Sequence, residues 1–75
     1  MINELATVVL KHDIVEHRLK SGDIGAVVHC YDDEVHFEVE FVSADGKTIA
    51  VLTLTENDIR PTAGSEILHV RQIAS

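Results

Sequence analysis

The chain has 75 residues, and a domain this short excludes an enzyme that closes a cleft between two lobes. Thirteen acidic residues against six basic give a formal net charge of −7, which works against a nucleic-acid partner because phosphate binding is driven by Lys and Arg releasing counterions. The 45% hydrophobic content is that of a folded domain, the single cysteine, Cys30, provides no internal disulfide, and no stretch reaches the ~20 apolar residues of a membrane span. With no basic region ahead of an apolar run at Met1, the expectation is a soluble, cytoplasmic protein of bacterial type that contacts neither membrane nor nucleic acid.

Along the chain the dominant period is two. Residues 5–10 are a short β-rich run, followed by a polar stretch over 11–23 that ends in Ser21, Gly22 and Asp23. With Gly25 close behind, this predicts a long first loop and a tight turn into the next strand. Strands are then expected over 26–31, 36–42 and 48–55, joined by a loop at 32–35 and by a segment at 43–47 whose Asp45-Gly46 pair is a hairpin signal. Thr55, with Asp58 three residues later, provides a hydroxyl cap and an acid suited to one helical or 3₁₀ turn, which Arg60 and Pro61 end. Residues 66–73 fit two patterns: alternation favours a strand with Leu68 and Val70 facing one way, whereas Ile67, Val70 and Ile73 are spaced as on a helix. Four or five short antiparallel strands, with one such turn before the last, predict an all-β fold. It is a single domain over 1–75, a small, bent SH3-like barrel, since a sandwich needs about seven strands.

With 32–35 as a loop, Tyr31 lies opposite His36, Cys30 opposite Phe37, His29 opposite Glu38 and Val28 opposite Val39. One face then carries Ala26, Val28, Cys30, Phe37, Val39 and Phe41, and parity through the Asp-Gly hairpin adds Ala50, Leu52 and Leu54; this is the expected core. The other face is polar near the first hairpin but keeps an apolar strip of Val27, Val42, Ile49 and Val51. An apolar strip on a wet face calls for a cover. Either the C-terminal Ile67, Leu68, Val70 and Ile73 fold back over it, or the strip, together with Ile67 and Val70, meets another subunit.

Five histidines in a chain this short invite a search for chemistry. His29, His36 and Glu38 share the outer face in this register, and two imidazoles with a carboxylate are a ligand set for zinc, although no HExxH or CxxC supports it. His12, Asp13, Glu16 and His17 form a second polar group in the first loop, with an acid and an imidazole close enough for general base work but no nucleophile beside them. Cys30 faces inward by parity and reads as a small core hydrophobe. Asp32, Asp33 and Glu34 lack the spacing of a calcium loop, and no helix follows Gly22 and Gly25 to cradle a phosphate, so these glycines mark positive φ or close backbone approach at a barrel corner. No motif asks for a cofactor.

Several of these elements together are familiar. Glu4-Leu5 with Thr7-Val8-Val9-Leu10, the run from Leu19 to Val28 containing Gly22-Asp23-Ile24-Gly25, Phe37 to Val42 with Asp45-Gly46-Lys47-Thr48, and Leu54-Thr55 with Asp58-Ile59-Arg60-Pro61 resemble a small bacterial family, the domain of unknown function 4926. The resemblance spans Ile2 to about Pro61, so the core is 2–61 and residues 62–75 are an extension beyond the usual Arg-Pro ending. It implies an SH3-like barrel and an accessory role beside other genes, such as toxin-like proteins or peptide-natural-product clusters, with no catalytic residues to carry over. Where the family pattern tends to have Pro and Gly in the first loop, this chain has Val15 and Arg18, which implies a more ordered loop.

A non-catalytic module that binds protein is therefore expected, either as a homo-oligomer or with a partner encoded nearby, as an acidic antitoxin-like protein meets a basic partner. The alternative from another class is a metal-dependent or acid–base enzyme using His29, His36 and Glu38, or His12 and His17.

Overall fold

The computed structural model describes residues 2–73. Five strands, β1 (Thr7–Leu10), β2 (Ile24–Cys30), β3 (Phe37–Val42), β4 (Thr48–Leu54) and β5 (Ile59–Pro61), form one antiparallel sheet in the order β4-β3-β2-β1-β5. The all-β architecture is the expected one. Among the described residues no helix is long and apolar enough to cross a membrane.

The sheet is rolled. β4 and β5 are its two edges, which in a flat five-stranded sheet would lie roughly 19 Å apart at about 4.8 Å per strand. Only Thr55 to Asp58 join them, and the Ile59 N–H donates to the Thr55 carbonyl at 3.2 Å, so the two edges meet within about one helical turn, roughly 5–6 Å. The cap foreseen from sequence forms here. The Thr55 hydroxyl accepts the Asn57 N–H at 3.2 Å, and the Asp58 carboxylate reaches back to the Thr55 N–H at 2.9 Å. Among the described residues the one regular 3₁₀ turn lies elsewhere, at Val15–His17 in the first loop, followed by Arg18 in the left-handed region at φ 58°. That conformation favours glycine, and here Arg18 adopts it, its N–H bonded to the Val15 carbonyl at 3.0 Å.

The inside of the roll is wholly apolar. Val8, Leu10, Val27, Val39 and Ile59 are at most 1% exposed, Leu19, Phe37, Phe41, Ala50 and Leu54 surround them, and no polar residue among those described is buried. Gly25 sits tight against β3: a Cβ there would lie 2.7 Å from Val39 Cγ1 and 2.9 Å from Phe41 Cε1. Gly22, with φ 95°, makes the turn into β2. Close approach at one glycine and positive φ at the other are the two roles expected of them.

One expectation about the faces is corrected. Cys30 pairs with Phe37 and His29 with Glu38 as parity requires, but the register then shifts between Val27 and His29, so that Val27, and not Val28, lies opposite Val39. A bulge adds one residue to one strand and reverses the facing of everything beyond it. Val27 is consequently fully buried and leaves the apolar strip, while Val28 is 43% exposed and Ala26 is also outside. A second bulge between Phe41 and Val42 sets Thr48 opposite Val42 and leaves Ile49 as the extra residue, half-buried against the core.

Residues 62–73 are neither strand nor helix. After one turn, closed by the Glu66 N–H on the Ala63 carbonyl at 3.0 Å, the segment runs along the surface and is held by side chains. The bulge gives a direct check: Val27→Ala should cost about 2 kcal/mol in denaturant unfolding and Val28→Ala less than about 0.5, the reverse of what strict alternation requires.

Candidate functional site

The outer-face histidines do not assemble. His29 stands edge-on to Tyr31 with ring centroids 4.7 Å apart, and its Nδ1 is 3.6 Å from a Glu4 carboxylate oxygen. Glu38, although directly opposite His29, is occupied by two hydroxyls: Thr53 donates to its Oε1 at 2.6 Å and Tyr31 at 3.3 Å. His36 turns into its own loop, where Nδ1 meets Asp33 Oδ2 at 2.6 Å. Asp33 also accepts the backbone N–H groups of Val35 and His36 at 2.9 and 3.0 Å, and these bonds hold its carboxyl down at about 2. Among the described residues no three His, Cys, Asp or Glu side chains converge as a metal site. His29, His36 and Glu38 each answer to a different neighbour.

The first-loop group separates in the same way. Asp13 accepts the Ser21 N–H at 2.8 Å and ties the two ends of the loop, while Glu16 and His17 lie on the exposed 3₁₀ turn. His12 leaves the group to reach Asp58 in the turn between β4 and β5, with Nε2 2.7 Å from Oδ1 and Nδ1 3.0 Å from the Asp13 carbonyl. Both ring nitrogens face acceptors, so the imidazolium satisfies both and no lone pair remains for a base. The Asp58 bond, then the Asp13 carbonyl, raise the His12 pKa above its ordinary 6.5. At Asp58 burial pushes the pKa up, but the bonds from His12 and from the Thr55 backbone and hydroxyl outweigh it and the net direction is down. The pair bolts the first loop to the turn that closes the roll, and Lys11 reinforces it through its backbone N–H on the Asp58 carbonyl at 2.7 Å and its Nζ on the Glu56 carbonyl at 3.0 Å.

Two concavities lie at opposite ends of the β2–β3 hairpin. One, of about 520 Å³, has Ile2, Cys30 and Phe37 as its floor and Glu4, Glu34 and Glu56 at its rim. The other, of about 280 Å³, runs between the C-terminal segment and the sheet, where Val70 and Ile73 face Leu19, Ile24, Val42 and Ile49. Arg71 fastens that segment: Nε and Nη2 grip the two Asp23 oxygens at 2.8 and 2.5 Å, and Nη2 also reaches the Arg18 carbonyl at 3.0 Å. At the near end Arg60 forks onto Glu66 at 2.9 and 2.6 Å. Neither fork was visible in the sequence, nor was His12–Asp58; the partners of Arg71 and His12 lie 48 and 46 residues away, beyond any local spacing.

The apolar strip survives without Val27. Val42 is 52% and Val51 46% exposed on the outer side of β3 and β4, and Val70 is 89% exposed on the strap beside Val42 and Ile49. Ile67 and Leu68 are exposed as well, so the strap covers the strip only in part. β4, which carries Ile49 and Val51, is also a bare edge of the sheet.

The sequence profile described as domain of unknown function (DUF4926) matches residues 4–61, and the chain belongs to that family. No curated protein and no solved structure matches it.

Two outcomes follow from the geometry. In an NMR titration His12 should titrate above 6.5, and Asp58→Asn should bring it back towards that value; a His12 titrating at 6.5 in the unaltered protein contradicts the pairing. Because the folded pKa of His12 is raised, its stabilisation is complete below 6.5 and is lost as pH rises through the raised value; that of Asp58, whose pKa is lowered, is lost as pH falls through the lowered value, below the usual 3.8. Second, Arg71→Ala should drop the backbone order parameters of residues 68–73 below about 0.6, with global stability changed by about 1 kcal/mol or less, as for an ion pair at the surface.

Proposed function

We propose that this family member is a non-catalytic accessory module of the cytoplasm that works by associating with a protein surface, a second copy of itself or a partner encoded nearby. The observation that carries this reading is the cluster of Val42, Ile49, Val51 and Val70: Val42, Val51 and Val70 are 52%, 46% and 89% exposed and lie outside the core, and only Ile49 packs against it. A domain this small buries only roughly 60% of its unfolded surface, so apolar residues left outside a finished core are better accounted for by a contact than by packing. His12 and His36 are engaged with Asp58 and Asp33 in loops and turns, and Glu38 with the Thr53 hydroxyl across the sheet, which supports binding over acid–base work. An acidic surface of net charge −7 favours a basic partner where the contact is heterologous.

The test is sedimentation velocity on the full chain, pure and as a complex isolated from its host, compared with Val42→Glu/Val70→Glu. The unaltered chain should sediment heavier than 8.3 kDa in at least one of these settings, and the double variant should lose that species while keeping its circular dichroism and melting temperature. A chain that travels alone at 8.3 kDa in both settings overturns the reading.

A further inference from the structure

We propose that β4 is a dimerisation edge, along which two copies of this chain pair antiparallel across a twofold axis at Val51 and continue one sheet into the other. The inference rests on the association reading above and adds to it a surface and an occupant. An edge strand offers a row of unpaired N–H and C=O groups, and proteins that stay monomeric blunt such edges with charge, proline, shortness or a cover. The two edges of this sheet are treated oppositely. β5 has only three residues, includes Arg60 and Pro61, and is flanked by the Arg60–Glu66 fork. β4 has seven, Thr-Ile-Ala-Val-Leu-Thr-Leu, with no charge, no proline and no glycine, and among the described residues no backbone hydrogen bond joins it to anything beyond β3.

The sequence of β4 also selects its occupant. A chain of net charge −7 repels its own copies over most of its surface, and an uncharged strand is where approach costs least. For the same reason β4 has nothing with which to recognise a basic partner. Folded about Val51, the strand matches itself: Val51 meets Val51, and Ala50 meets Leu52 as small against large on the inner face. Leu52 faces the interior yet is only half-buried, which a strand added alongside would complete.

Val51→Lys tests this without threatening the monomer. Val51 is exposed and lies opposite Glu40 within its own sheet, so the new ammonium gains a cross-strand carboxylate at home, while at the twofold axis two ammonium groups confront each other. Sedimentation equilibrium of the unaltered chain should give twice 8.3 kDa, with Val51→Lys at least about tenfold weaker in dimerisation and unchanged in circular dichroism. As a second, independent readout, Val51→Cys with Cys30→Ser should oxidise readily to a covalent dimer, and Val42→Cys with Cys30→Ser should not. A chain that stays at 8.3 kDa up to roughly 1 mM overturns the dimer. Dimerisation kept in Val51→Lys but lost in Val42→Glu/Val70→Glu overturns the edge and leaves the association reading standing, whereas the reading itself falls only if the chain also travels without a partner from its host.

Discussion

β4 and β5 are the two edges of a five-stranded sheet, yet only Thr55 to Asp58 separate them in the chain. Nearly everything else in the structure follows from satisfying that short connection. The sheet has to roll until its edges come within one turn of each other, and the roll creates an inside small enough for Val8, Leu10, Val27, Val39 and Ile59 to fill. The bulges at Val27–His29 and Phe41–Val42 provide the local twist that such curvature needs, and Gly25 leaves room for the Val39 and Phe41 side chains of β3 against β2. The turn itself is secured from outside by Asp58, whose carboxylate holds the Thr55 backbone and the His12 ring, while its carbonyl takes the Lys11 N–H. The polar residues of the first loop are therefore part of how the barrel is shut.

This explains which parts of the fold were legible in the sequence. Turn chemistry is local: Asp45-Gly46, the Thr55–Asp58 cap and the Gly22 turn each declare themselves within four residues, and the β2-β3-β4 meander follows from such signals, whereas the pairing of β1 with a strand at Ile59–Pro61 does not. The facing of β2 was legible only as far as His29, because alternation is a count and a bulge breaks the count without a residue type that marks it. Val27 and Val28 are identical side chains with opposite fates, so composition could not have separated them. Residues 66–73 alternate well enough to suggest a strand, but a strand needs an edge to pair with, and the segment lies where two arginine forks place it. The candidate metal ligands illustrate the same limit. Parity brought His29 beside Glu38 correctly, but it could not show that Glu38 was already accepting the Thr53 hydroxyl or that His36 would turn towards Asp33.

The charge balance acquires a structural meaning as well. Of six basic side chains, Lys11, Arg60 and Arg71 are committed to tying the chain's own segments together, and the acidic partners they take, Asp23 and Glu66, are removed from the surface field along with them. The remaining acids, among them Glu4, Glu34 and Glu56 around the larger concavity, keep the outer surface negative. Because no polar or charged residue among those described is buried, this charge is free to differ from neutrality without a buried charge to compensate.

Acidity and the unguarded edge belong together. A long uncharged strand on the rim of a sheet invites stacking of many chains, and the usual remedy is to place lysine or proline on the strand itself. Here the strand is left bare, but the whole molecule is negative, so copies gathering beyond a pair would accumulate repulsion. The opposite edge, closed by Pro61 and the Arg60 fork, gives an incoming chain nothing to continue. A sheet with one open and one closed edge can grow by a single step and then has two closed ends, so the proposed pairing through β4 stops at two copies and does not run on into a fibre.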